Sequence, residues 1–593
     1  MSEAEGADDV ASMERWITDT ELSPRFPLYT RANADEVGPE PFSPLGWSLA
    51  WVTGCIPGVA KGFVAFGAVT DDEWALDPPE VFGNWGGYFY NQLSLPRVMG
   101  ARMPGASPAA IDDAYFGDHP GVPTYEAHPD DEDDERSAHL AETMAWAMST
   151  ASFPEQEASS RRAIEIVRTR PDLASLDDAE LVARARRVAG PDLDDAWTVY
   201  CQSALGSSLG PGAVQAICAA IGRPGDAVKV MAAIGDVESA EAPRAMWELS
   251  RLVRGSESLG AEFDAGVDGL LDRLRDAGTP DAATFLADWE ALLADHGHRG
   301  PNEWDLRPHS WTTDPTMPLG MIERMRHQRD ERSPARAHAE GVAERERLTA
   351  ELLAAVEGDE EAHGALAAGI RSAAVFYSAR ERGKNACIRL IHEAKLALME
   401  LGRRMVERGH LDEPQQLFAL LDDELDAFLA DPGSMTDELR RRDAAFARLH
   451  ELEPPYIVGR SAGGVPPISS WGPRGGRRVQ PAVAGDVLRG AMGAPGTARG
   501  TARVVLDPRS PGDVGPGDIM IAPTTDPSWV PLFLAVEGVV VDVGAVASHA
   551  AIVCRELGLP CAVSVHDATD RIPEGATIEI DGSTGAVTIL EVP

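Results

Sequence analysis

One stretch, EGVVVDVGAVASHAAIVCRELGLP over residues 537–560, concentrates side chains able to do chemistry. Its apolar run VVVDV leads into Gly544, and a helix is expected to open near Ser548 and His549 and to stop at Gly558, with Pro560 beyond. His549 then stands at a helix N-terminus, where unpaired backbone N–H groups and the positive end of the dipole favour an anion. A neutral imidazole in that place can attack phosphorus, and the phosphohistidine so formed has its charge met by those donors. Ser548 can cap the helix or hydrogen-bond a phosphate oxygen. Taken alone, such a histidine serves equally well as a cap or a surface group, so the choice falls to its surroundings.

Those surroundings must supply a frame. In residues 487–593 the runs TARGTARVVLD, GDIMIAP, GVVVDV, PCAVSV, ATIEID and AVTIL read as strands joined by glycine turns, with 549–557 as the one clear helix. This predicts an independent β/α domain of about 100 residues. Ahead of it, 458–486 is dense in Gly, Pro and Ser and reads as a linker that lets the domain move. Residues 131–457 are helical in character, with 3.6-residue apolar spacing in 139–150, 178–189, 193–206, 211–221, 241–253, 262–276, 280–296, 334–357, 363–408, 413–430 and 435–451. Asp192 and Thr279 stand where helix caps are wanted, and Pro432-Gly433 ends a helix. Residues 1–130 form a mixed part in which GFVAFGAV (62–69) and GGYFYNQLSL (86–95) read as strands. The stretch 41–70 carries one charge, Lys61, but Pro44, Pro57 and several glycines interrupt it, so it reads as buried loop and core rather than a membrane span. The acidic PDDEDDERSAH (129–139) reads as a solvated segment. The expected fold class is multidomain α+β: a large, mainly α-helical domain with a mixed N-terminal part, then a small β/α domain.

Composition narrows the chemistry. The 593 residues hold 53 Lys+Arg against 95 Asp+Glu, a formal charge of −42, which argues against a protein that neutralises nucleic-acid phosphates. Only four residues are lysine (61, 229, 384, 395), and no G-x-x-x-x-G-K-[ST] loop occurs, so any anion must be met by arginine and backbone donors. The six cysteines are scattered, with no zinc spacing, and no metal site is expected. The opening MSEAEGADDV lacks the basic and apolar regions of a signal peptide, which makes a cytoplasmic location the expectation.

The ordered segments GAPGTARGTARVVLDP (493–508), GDIMIAPTTDPSWVPLF (517–533), GAVASHAAIVCRELGLPCAV (544–563) and GATIEIDGSTGAV (575–587) resemble the swivelling phosphohistidine domain of the PEP-utilising enzymes, among them pyruvate phosphate dikinase and phosphoenolpyruvate synthase. The resemblance implies that His549 is the phosphorylated histidine and that Thr524, Thr525 and Asp526 lie in the loop facing it. Cys554 stands where the family usually has alanine, on the buried face of the helix. Upstream, YTRANADEVGPEPFSPLGWS (29–48), HGHRGPNEWDLRPHSW (296–311) and ARERGKNACIRLIHEAKLALMELGRRMVERGHLDE (379–413) resemble the substrate-binding region of rifampicin phosphotransferase and its relatives.

Read as chemistry, Arg31, Arg299 and Arg380 are fork-shaped donors suited to a phosphoryl group, while His298, Glu303 and Glu381 can take a proton from a substrate hydroxyl; a buried ion pair or a helix-surface charge explains each as readily. Gly297 and Gly300 favour a tight turn that brings backbone close to a ligand. In the resembling enzymes an ATP-grasp domain precedes this arrangement; here the expectation is a carrier histidine and an acceptor site without a nucleotide site. Phosphate would then come from a separately encoded ATP-grasp subunit that brings ATP and Mg²⁺, no cofactor being bound tightly by this chain, as in the division of labour of phenylphosphate synthase. The acceptor would be a small-molecule hydroxyl, with no nucleic-acid or membrane partner. Two other readings are a lyase or hydrolase using His549 as general acid or base, and a non-catalytic ligand-binding protein.

Overall fold

Three glycines four residues apart, Gly54, Gly58 and Gly62, decide the conformation of the apolar 41–70 stretch. The computed structural model, which describes residues 17, 20–73, 80–116, 121–234, 241–474, 479–508, 510–526, 529–544 and 548–593, makes Gly46–Phe66 a helix, its first ten residues in π form and Ile56–Phe66 in α form. This corrects the expectation of loop over 41–70 and of a strand at 62–69. The glycines are not breakers: a side chain at Gly54, Gly58 or Gly62 would strike Ala189, Asp194 and Trp197, or Cys201 of the packed helical segment 188–206, so they form a flat strip for close helix packing. Pro57 falls in the first turn of the α section, where a missing N–H is tolerated. The helix is long and apolar enough to cross a membrane, yet 61% of its most apolar window is buried inside the protein, as in a core helix.

Chain contacts divide the protein into two compact units, the first comprising Met1–Ser207, Trp304–Pro308 and Arg382–Arg478. Its small antiparallel sheet is built of Leu28–Thr30 (β1), Phe82–Trp85 (β2), Tyr88–Gln92 (β3) and Ile457–Gly459 (β4), in the order β2-β3-β1-β4. Gly86 and Gly87, both left-handed, make the two-residue turn of the β2–β3 hairpin. Segment 458–486, expected to be a linker, thus begins as a strand paired to Leu28–Thr30. The core around Trp51 is aromatic: its ring stacks on Trp47, and its indole N–H donates to the Trp304 carbonyl at 3.1 Å. Glu393 is fully buried here and is held by Arg170 at 2.9 Å and Arg184 at 2.8 Å, so that its charge is compensated on the spot.

The second unit comprises Ser208–Glu303, His309–Glu381 and Val479–Pro593. Strands Val487–Arg489 (β5), Ala491–Ala494 (β6), Thr497–Val504 (β7), Asp518–Ala522 (β8), Gly538–Val541 (β9), Cys561–Val563 (β10), Thr577–Asp581 (β11) and Ala586–Glu591 (β12) form one sheet in the order β5-β12-β11-β7-β8-β9-β10-β6. Its centre, β7 to β10, is parallel, and its flanks are antiparallel. Because side chains alternate across a strand, Ile519, Ile521 and Val540 join a core with Ile578 and Ile580 on one face. Met520, Val539 and Val541 face the other way and share a second core with the His549–Leu557 helix and with Met246, Phe285, Trp289, Leu319 and Ile322 of the helices between 241 and 326.

The helical expectations hold in most places, with local corrections. Segment 262–276 is two helices, Glu257–Asp264 and Leu270–Ala277, parted by the left-handed Gly266 and Gly269. Over 413–430, 3₁₀ turns at Pro414–Ala419 and Asp422–Glu424 precede a short helix, Leu425–Ala430. Helices Pro154–Arg168 and Thr316–Arg326 were not anticipated. Thr279 caps its helix through Ala282 N–H at 3.2 Å, whereas Asp192 caps nothing, because its backbone is already helical.

Candidate functional site

The C-terminal ends of adjacent parallel strands form the crevice where open α/β sheets hold ligands. Here Asp542 N–H donates to the Ala522 carbonyl at 3.0 Å and Val543 N–H to that of Pro523 at 3.0 Å, which sets the loop after β8 beside the loop after β9. The first carries Thr524, Thr525 and Asp526; the second leads to His549. Ser548 is the N-cap of the His549–Leu557 helix, its hydroxyl accepting from Ala551 N–H at 3.4 Å, and Gly558 closes the helix in the left-handed conformation, both as expected from the sequence. His549 is 6% exposed, with the Phe533 ring 6.5 Å from its own. Residues 545–547 lie outside the described residues.

Asp542, at the root of this loop, accepts from the backbone N–H of Thr569 at 3.0 Å and from its hydroxyl. Burial pushes its carboxyl up to about 7, against the pull of those two donors. Behind the helix, Cys554 is fully buried beside Cys561; burial and that neighbour raise its thiol well above the usual range, which is the opposite of what a nucleophile needs.

A second element meets this crevice. Helix Pro280–His296 ends in a tight turn closed by Arg299 N–H on the His296 carbonyl at 3.0 Å and by Trp311 N–H on the Arg299 carbonyl at 2.7 Å. Gly300 is required there, since a side chain would strike the His309 carbonyl. The turn buries His298, Arg299 and Glu303, with Arg299 Nη1 3.7 Å from Glu303 Oε1. Asn302 N–H donates to Asp526 Oδ2 at 3.4 Å, and so the turn and the loop after β8 are joined. Among the described residues, Arg299 Nε and Nη1 and the hydroxyls of Thr524 and Thr525 have no hydrogen-bond partner although all are buried. Such groups are costly unless a partner is found, and donors of this kind suit a phosphoryl oxygen.

The other sequence candidates divide. Arg380 and Glu381 lie on the long helix Glu360–Glu407, in the same unit. One turn before them Tyr377 accepts a hydrogen bond from Arg555, which brings this segment to the His549 helix. Arg31 belongs to the first unit, where it serves as a structural group. Its fork donates to the carbonyls of Phe89 and Gly38, pairs with Asp35, and lies against the rings of Tyr88 and Tyr90. Asn302 and Asp542 were not singled out from sequence. The one signal was Pro301-Asn302, a pair suited to a turn, because asparagine tolerates the left-handed region.

The sequence was compared with known families and proteins. The family "Rifampicin phosphotransferase fourth domain" matches residues 200–381, and "PEP-utilising enzyme, mobile domain" matches residues 514–585. An uncharacterised protein of Mycobacterium tuberculosis strain H37Rv is 28% identical over 595 residues, covering 97% of this chain and 63% of its own length. The rifampicin phosphotransferase of Streptomyces sviceus is 30% identical over 366 residues, 61% of this chain and 40% of that protein. The prodigiosin synthesizing transferase PigC of Serratia marcescens is 27% identical over 371 residues, again 61% of this chain and 40% of the relative. The chain thus carries a segment similar to the fourth domain of the rifampicin phosphotransferases and a C-terminal segment similar to the mobile domain of the PEP-utilising enzymes, and it spans less than two thirds of the length of these relatives.

Proposed function

We propose that this chain is the phosphoryl-carrying and phosphoryl-delivering part of a phosphotransferase. His549 takes phosphate from an ATP-grasp partner, where ATP and Mg²⁺ are bound, and passes it to the hydroxyl of a small organic acceptor. The observation that carries the reading is the junction of Asn302 with Asp526, which sets the Arg299 turn, whose Nε and Nη1 have no hydrogen-bond partner among the described residues, against the loop after β8. In the transfer, the bond from an imidazole nitrogen of His549 to phosphorus breaks and its electron pair returns to the ring. The acceptor oxygen bonds to phosphorus, and its proton passes to a carboxylate, Glu303 or Asp526. Arg299 and the Thr524 and Thr525 hydroxyls stabilise the charge on the moving group, since phosphoryl transfer is chiefly positioning and electrostatics. Burial of the site keeps water from taking the phosphate instead.

The test is to incubate the chain with an ATP-grasp protein, Mg²⁺ and γ-labelled ATP and to look for acid-labile, alkali-stable phosphate at residue 549. His549→Ala is expected to carry none and to transfer none. Rifampicin, named in the relatives, is the first acceptor to try. An unlabelled His549 together with turnover that needs no nucleotide would instead select acid–base chemistry.

A further inference from the structure

Asn302 has three properties that one role does not explain. Its backbone is left-handed, with φ 47°; its N–H meets Asp526; and its side chain is 6% exposed, with the carbonyl oxygen Oδ1 unpartnered among the described residues. The first two call for a turn and nothing more. Glycine would adopt that conformation freely and make the same N–H contact. The side chain is thus additional to the turn, and it buries an acceptor that water cannot reach. Three residues earlier, Arg299 buries Nε and Nη1, which have no hydrogen-bond partner among the described residues, the Glu303 carboxylate standing 3.7 Å from Nη1.

We infer that Asn302 and Arg299 together form the receiving subsite for a phosphate monoester. Arg299 donates to the phosphoryl oxygens, and the Asn302 carbonyl accepts from the O–H beside them: the acceptor's hydroxyl before transfer, or the P–OH of a monohydrogen phosphate. The inference rests on the preceding reading of the site and adds a specificity residue to it. An occupant that is both anion and hydrogen-bond donor satisfies both orphaned partners, whereas a sulfate, fully ionised at neutral pH, satisfies only the arginine.

Inorganic phosphate is the probe, titrated against the full-length chain by calorimetry near neutral pH, with sulfate as the control. Asn302→Gly keeps the left-handed turn and the N–H to Asp526 and is expected to leave the unfolding midpoint unchanged while weakening phosphate binding about tenfold. Sulfate binding, the weaker from the start, is expected to stay where it was. Asn302→Asp, equal in shape and negative, is expected to weaken phosphate further. Unchanged phosphate affinity in Asn302→Gly, an equal loss for sulfate, or no saturable phosphate binding by the wild type overturns the inference. Labelling of His549 is measured apart. Its failure alongside Asn302-dependent phosphate binding removes the carrier reading and leaves this subsite, while the reverse result removes only the subsite.

Discussion

Arg299 and Arg31 are the same residue type, both 1% exposed, and they do different things. The fork of Arg31 is taken up by main-chain carbonyls and Asp35, so its worth lies in holding β1, β3 and the 34–38 turn together. In that of Arg299, Nε and Nη1 have no hydrogen-bond partner among the described residues, and in the proposed function they receive the phosphoryl group. Arg299→Lys preserves the charge but not the planar pair of donors. We expect it to leave labelling of His549 intact and to slow discharge of the phosphoenzyme to acceptor about 100-fold, read by following the acid-labile phosphate in single-turnover mixtures. Residue type made both arginines candidates; what separates them is which carbonyls lie within reach, and that is settled by tertiary packing. Asn302 was hidden for a similar reason, since a left-handed φ is imposed by the turn and leaves no mark in composition.

At the level of elements, Asp542 stands at the root of the loop that leads to His549 and is held there by Thr569. A carboxyl raised to about 7 when folded and near 4 when unfolded holds its proton preferentially in the native state. Its contribution to stability is therefore complete below about pH 4, declines as the pH rises, and is gone above about pH 7. Asp542→Asn should abolish that decline, so that denaturation midpoints measured at pH 5 and pH 7.5 differ less in the variant than in the wild type; an unaltered pH slope would remove Asp542 as its source. The strands and the carrier helix were legible because their patterns are local: alternating Val and Ile, a serine cap, a glycine stop. The Gly46–Phe66 helix was not, because glycines that break an isolated helix become contact points once another helix lies against them.

For the whole molecule, the order of parts along the chain could be read from composition, but the sharing of cores could not. Sheet residues 520–541 and helical residues 242–325 bury one another in a single apolar cluster, and the helix bearing His549 is tied down by Glu556, which accepts from Ile234 N–H at 2.9 Å and pairs with His338. On the proposed function, His549 has to leave this arrangement to reach a phosphate donor. A Cβ at Gly558 would stand 3.9 Å from that of Ala337, within disulfide range, so Ala337→Cys with Gly558→Cys, at the expense of strain at this left-handed position, can close the arrangement covalently. Oxidised, the double variant should lose labelling of His549 by the ATP-grasp partner and regain it on reduction, whereas chain labelled beforehand should still discharge to acceptor. Labelling at the wild-type rate in the oxidised form would show that no such departure is needed.

The shared core also bears on how such enzymes are assembled during evolution. A recombination junction at residue 478 would hand on a sheet whose Met520, Val539 and Val541 face had lost its cover, and would leave behind helices with Trp289 and Ile322 exposed. The heritable module is therefore the sheet together with the 241–326 helices, although the two are separated in the gene by the long helix and everything that follows it.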